Sequence, residues 1–303
     1  MTFTTTFKEE LSKIKDNEVD KLICLSSFLS TGAKIEDIMI INSETASIIR
    51  KIYTDLKEIY SINPSIKVRT QKRFREKRIY MLEISEKLEL IKKDMVYDDI
   101  LEFCDTPYKK VAFLKGTFLS GGSITDPKNS GYHLEFSSSN EKLIQDINII
   151  LLSFRFSSKI LKRGSKFIVY VKAAEEISDL LKMFKTINSL FYFEDIRIYR
   201  DHKNMVNRLT NCEIANQEKI IKTGLKQVDS IEFLKDNNLL DLLDDKLKCV
   251  VKYRELYPDA SYSELAELIS EETDYKIGKS GINHNFIKIN KLVEKYKEGN
   301  KNE

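Results

Sequence analysis

Apolar and polar positions along the chain fall into short runs whose period alternates between about 3.6 and 2, the spacings by which helices and strands bury one side. Phe7, Leu11 and Ile14 follow helical spacing from about Thr6, with Thr6 and Glu9 placed as a capping box. A second helix is predicted over residues 19–30, ending at Gly32, followed by a strand over 35–41 and a helix from about 44 to 60. Strands around 66–69 and 78–84 come next, joined by the basic tip Lys72-Arg73-Phe74-Arg75.

Much the same order then recurs. A helix over 108–119 runs into Gly121-Gly122, with strands near 123–125 and 132–136 and a helix over 140–154. Residues 159–161 and 167–171 form a hairpin turned by Gly164-Ser165, and a helix over 174–186 closes the half. Each half reads helix ending in glycine, strands, helix, basic-tipped hairpin. The pattern predicts an α+β fold made by internal duplication over 1–199, with pseudo-repeats at about 1–105 and 106–199. A strand is expected near 193–199, then a helical linker over 200–240 and a small all-α domain over 241–303.

In that last domain Val250, Val251, Tyr253 and Leu256 suit one helix, stopped before Pro258. Ser261 and Glu264 have capping-box spacing for a second, with Leu265, Leu268 and Ile269 inside. A third, with Ser280 as its expected cap, carries Ile282, Phe286, Ile289 and Val293 on one stripe. Residues 276–292 contain four lysines and no acidic residue, and Asn283 and His284 lie off the apolar stripe. Three short helices with a basic third one predict a helix-turn-helix. Lys279, Ser280, Asn283, His284 and Lys288 are the candidate contacts to double-stranded DNA. The plainer alternative is a helical protein-interaction domain with solvated lysines. Gly278-Lys279-Ser280 is not a P-loop, because Thr273 stands where that motif needs glycine.

A net charge of +3 says nothing about nucleic acid, so its distribution has to. Residues 66–79 hold seven basic side chains against one acidic, and Lys72, Arg73 and Arg75 at the tip are candidate DNA contacts; a solvated edge hairpin is the alternative. Asn204, Asn207, Arg208 and Asn211 share one helical face, suited to hydrogen bonding with phosphates or bases, or to docking the domains together. Four scattered cysteines and three scattered histidines form no metal or disulfide pattern, and no cofactor is expected. The absence of a signal peptide or a roughly 20-residue apolar run predicts a cytoplasmic protein without a membrane partner.

Two stretches carry a resemblance. Phe113-Leu-Lys-Gly-Thr-Phe-Leu-Ser-Gly-Gly-Ser123, within a run that continues to Pro127, resembles the LAGLIDADG helix of homing endonucleases, with Cys24-Leu-Ser-Ser-Phe-Leu-Ser-Thr-Gly32 as its partner. With Tyr132-His-Leu-Glu135, the run from Asn207 to Asn216 and the run from Gly278 to His284, the chain resembles the WhiA family of bacterial regulators. The resemblance implies a degenerate homing-endonuclease domain joined to a C-terminal helix-turn-helix. It implies a role in sporulation, cell division or chromosome segregation. Active endonucleases of that fold hold divalent metals through an acidic penultimate motif residue in each half; alignment on the final glycines places Thr31 and Gly121 there. The expectation is a sequence-specific, nucleoid-associated transcription regulator without nuclease activity. Two alternatives stay open: an endonuclease using displaced carboxylates such as Asp126 and Glu135, and a division factor acting through protein contacts. Another regulatory protein as partner, the oligomeric state and the DNA target are left open.

Overall fold

A computed structural model describes residues 2–71, 77–129 and 131–299. The chain divides into two compact units, Met1–Asp201 and His202–Glu303. The first unit begins with α1 (Phe3–Ser12), α2 (Glu18–Gly32), β1 (Lys34–Ile35), β2 (Met39–Ser43), α3 (Ala46–Tyr60), β3 (Ser65–Gln71) and β4 (Lys77–Ile84). Two short helices, α4 (Leu88–Asp94) and α5 (Ile100–Phe103), lead to the second half. That half comprises α6 (Pro107–Gly121), β5 (Gly122–Ile124), β6 (Leu134–Ser138), α7 (Glu141–Ser153), β7 (Lys159–Arg163), β8 (Lys166–Val171) and α8 (Ala174–Met183). Helix α9 (Ile187–Asp236) follows.

Among the described residues the strands form two antiparallel sheets, ordered β1-β2-β4-β3 and β5-β6-β8-β7. The duplication read from element order is therefore a duplication of topology. The halves join where α2 packs on α6, and small residues set the approach. A Cβ on Gly116 would land on the carbonyl oxygen of Cys24 and on Ser27 Oγ. One on Gly32 would strike Ser120 Oγ, and one on Gly121 would meet the Ser137 carbonyl and the Thr31 methyl. A continuous apolar core surrounds this seam, with Phe7 edge-on to Phe118 at 4.9 Å and Phe118 edge-on to Phe136 at 5.6 Å.

Three local expectations are corrected. Helix α1 starts before Thr6, because the Thr2 side chain accepts from Thr5 N and caps it. The strand expected at 193–199 is part of α9: Glu10 of α1 accepts from the backbone N–H groups of Asn188 (2.8 Å) and Ser189 (2.9 Å) and so satisfies the helix's first turn. That remote cap and the burial of Phe193 override a β-rich composition. The short helices α4 and α5 were not expected at all. Gly164, at φ +60°, turns the β7–β8 hairpin as its sequence predicts.

The second unit contains the end of α9, a 3-10 turn (Leu240–Leu242), α10 (Asp245–Leu256), α11 (Tyr262–Glu272) and α12 (Lys279–Gly299). Its core joins Ile231 and Leu234 of α9 to Val250, Leu265, Ile269, Ile282, Phe286 and Ile289. Both bonds of the Ser261–Glu264 capping box form. Gly224 of α9 lies so close to the α10–α11 connection that a Cβ would meet the Pro258 carbonyl. Arg254, 1% exposed, donates through Nη1 to the carbonyls of Tyr257 (3.2 Å), Pro258 (3.1 Å) and Ala260 (2.6 Å). Its guanidinium also covers the Phe286 ring at 5.6 Å. A single buried cation thus fixes the turn that sets α11 against α10 and α12.

Candidate nucleic-acid interface

Helix α12 buries one side and exposes the other for a local reason. Ile282, Phe286, Ile289 and Val293 repeat every three to four residues and are all buried. Asn285 is also inside, donating to the Tyr275 hydroxyl at 3.3 Å and so holding the loop before α12. What remains outward is Ser280, Asn283, His284, Ile287, Lys288 and Lys291, all exposed. Ser280 is not the cap expected of it: α12 begins at Lys279, Gly278 occupies the capping position, and Ser280 lies in the first turn. Glycine is acceptable there because it leaves the last non-helical residue unstrained. The consequence, among the described residues, is a helix N-terminus with no side-chain cap beside Lys279 and Ser280, which suits a phosphate.

Ile287, 43% exposed, stands between Asn283 and Lys288 on the outward face. The sequence reading passes over it, because an isoleucine in an apolar-rich helix looks like core. The usable signal is its spacing: four residues after Asn283 and two before the buried Ile289, which puts it off the apolar stripe.

Within the second unit, Asn204, Asn207, Arg208 and Asn211 lie on a stretch of α9 that is exposed all round from His202 to Lys219. Among the described residues no hydrogen bond involves any of the four side chains. Lys72, Arg73 and Arg75 lie outside the described residues. The strands beside them do not: β3 is exposed along its length and, among the described residues, pairs with β4 alone, in the register Lys67↔Met81 and Arg69↔Ile79. Lys67 and Arg69 therefore share one face, with Lys67 paired to Glu83 at 2.7 Å. The edge strand of the other half presents Lys159 and Arg163 in the same way, in keeping with the basic-tipped hairpin read in each half.

At the C-terminal ends of α2 and α6 the contact between Gly32 and Ser120 is mirrored by the one between Gly121 and Thr31. The symmetry-related pairs are thus Gly32 with Gly121 and Thr31 with Ser120. The alignment of Thr31 with Gly121 is off by one residue, because the second helix ends at Gly121 and Gly122 already belongs to β5. Neither pair carries a carboxylate. Asp126 accepts from the Tyr192 hydroxyl at 3.1 Å and from Lys128 N at 2.9 Å, while Glu135 lies 2.9 Å from His133 Nε2. Among the described residues no group of three or more His, Cys, Asp and Glu side chains is placed to hold a metal, and no helix is long and apolar enough to cross a membrane.

The comparisons with known proteins agree with this architecture. Residues 27–96 match the WhiA N-terminal LAGLIDADG-like domain, residues 110–203 the WhiA LAGLIDADG-like domain, and residues 206–293 the WhiA C-terminal HTH domain. The "Probable cell division protein WhiA" of Oceanobacillus iheyensis is 34% identical, over 99% of this chain and 99% of its own. The protein of the same name from Bacillus mycoides is 36% identical, over 99% and 98%. The crystal structure of full-length WhiA from Thermatoga maritima superposes with a TM-score of 0.58, covering 97% of this chain and 99% of that one at 22% identity, which shows a shared fold. Two degenerate LAGLIDADG-like halves and a helix-turn-helix, matched end to end by relatives of this similarity, place the chain in the WhiA family.

Proposed function

We propose that this chain is a sequence-specific transcription regulator that binds double-stranded DNA and acts in cell division, as its relatives' name says of them, or in chromosome segregation or sporulation. The observation that carries the reading is the outward face of α12. Asn283 and His284 supply hydrogen-bonding groups for base edges, Ile287 an apolar contact, and Lys279, Ser280, Lys288 and the open N-terminus the phosphate contacts. The exposed Asn204, Asn207, Arg208 and Asn211 face of α9 and the hairpin tip with Lys72, Arg73 and Arg75 add backbone contacts. The domains divide the work as residues 1–199, 200–240 and 241–303. The protein is nucleoid-associated and needs no cofactor.

The reading includes the absence of nuclease activity. It is supported by the residues at the ends of α2 and α6, which carry no carboxylate, and by the existing partners of Asp126 and Glu135. Mg²⁺-dependent cutting of DNA that disappears on changing Asp126 or Glu135 would overturn it. The test of the main proposal is genome occupancy of the intact protein against a Lys279→Ala/Asn283→Ala/His284→Ala variant. Discrete peaks sharing a short motif, lost in the variant, are expected; peaks that persist would remove α12 as the reading head.

A further inference from the structure

A cavity of about 310 Å³ opens where α2 and α6 end, closed on one side by α1 and on another by the β2–α3 turn. Its lining includes Lys8, Asn42, Thr45 and Ser120. Lys8 is part-buried, and among the described residues its ammonium has neither a hydrogen bond nor an ion pair; it lies over the Phe118 ring at 5.7 Å. Burial pushes this ammonium from its ordinary value near 10.5 down to about 8. Asn42 and Ser120 also have no side-chain hydrogen bond among the described residues. Helix α3, which begins at this cavity, has Thr45 at its cap position but no side-chain capping bond; the Ile48 N–H turns back to the Thr45 carbonyl at 3.2 Å, and among the described residues no side chain accepts from those of Ala46 and Ser47. The one carboxylate on the lining, Glu44, is exposed and already has a partner.

A cavity with an unpaired ammonium, amide and hydroxyl donors and an uncapped helix start recognises an anion with several acceptor oxygens. We propose that this cavity binds a phosphate-type oxyanion through Lys8, Asn42 and Ser120. The proposal does not depend on α12 reading DNA. The anion is either a free phosphate group or a phosphate of a nucleic-acid backbone, and the two leave different signatures.

The test titrates the full chain with inorganic phosphate by calorimetry, alongside Lys8→Met and Asn42→Ala variants; Asn42 is exposed, so its loss does not threaten the fold if Lys8→Met does. Saturable binding at one site per chain is expected, weakened about tenfold or more by either change, as loss of a charge-assisted hydrogen bond implies. In parallel, DNA affinity is measured across salt concentration. If the anion is a backbone phosphate, Lys8→Met lowers affinity and reduces the slope of log K against log salt by about one. If it is free, DNA binding stays unchanged while phosphate binding is lost. Equal phosphate binding by wild type and both variants overturns the proposal. So does the absence of phosphate binding combined with an unchanged DNA slope.

Discussion

Asp16 Oδ1, in the connection between α1 and α2, accepts from Lys115 Nζ at 2.9 Å, joining the start of the chain to the middle of α6. Its other oxygen lies 3.3 Å from Lys51 Nζ on α3. All three side chains are more than nine-tenths buried, so one carboxylate bridges two lysines in the seam between the halves, Lys51 being paired with Asp55 as well. Removing one member of a buried ion pair strands the others, whereas replacing a pair with apolar residues is far milder. Asp16→Ala is therefore expected to lower unfolding stability by about 3–5 kcal/mol in urea melts. Asp16→Leu with Lys115→Met should recover more than half of that loss, Lys51 retaining Asp55 at 3.2 Å. A loss below about 1 kcal/mol for Asp16→Ala would mean the network is solvated and contributes little.

Gly116 predicts a contrast between two glycines. Its missing Cβ leaves room for the Cys24 carbonyl, a backbone atom that cannot rotate away. Gly116→Ala should force α2 and α6 apart and cost on the order of 3 kcal/mol, the upper end of overpacking effects. Nothing lies within 4 Å of a Cβ built on Gly278. Gly278→Ala should stay within about 1 kcal/mol, the usual penalty for alanine at a helix cap. Thermal melts of the two variants decide it, and similar shifts would show that the helix seam can yield.

The arrangement of the first unit was largely legible because both of its signals are local. Helical and alternating periods show in Ile52 and Leu56 of α3 and in Leu134 and Phe136 of β6, and glycines end both central helices. What escaped was whatever depends on residues far away in sequence. The segment from Phe193 to Tyr199 has the composition of a strand; the Glu10 carboxylate, brought over by α1 to cap a helix that starts at Ile187, and the burial of Phe193 hold it in that long helix. The one-residue error at Thr31 has a similar origin, since the register of two packed helices is set by contacts between them and not by either sequence. At the candidate interface, the outward position of Asn283 and His284 followed from the apolar stripe. Ile287 was passed over because its residue type suggests core, although its spacing sets it off that stripe. Lys8 lacked any signal, its burial being made by α2, α6 and the β2–α3 turn together.

Ile287 and Lys288 are adjacent on α12 but should fail differently. Replacing Ile287 with Ala removes an exposed apolar contact and leaves the buried stripe intact, so the fold should be unaffected. The expected cost is about 1 kcal/mol of binding to the preferred DNA sequence, confined to one base position. Lys288→Ala should weaken binding to all sequences alike and reduce the salt slope by about one. Competition binding over a panel of single-base variants separates the two patterns. A uniform loss from Ile287→Ala would place it outside the base-reading face.

Lys8 makes a prediction about pH whose sign follows from burial. In the folded chain its ammonium titrates at about 8, against about 10.5 when solvated, so the folded state gives up its proton first. Below pH 8 both states hold the proton and the cost of burying the charge is fully present. Between about pH 8 and 10.5 the unfolded chain binds more protons than the folded one, so this residue makes stability rise with pH. Lys8→Met removes the ionisable group, and the difference in stability between variant and wild type should shrink steadily across that window. Saturating phosphate should oppose the trend by favouring the charged form and raising the Lys8 pKa. Urea melts at half-unit pH intervals, with and without phosphate, read both effects. A stability difference that stays constant from pH 7 to 11 would show that Lys8 is solvated and carries no buried charge.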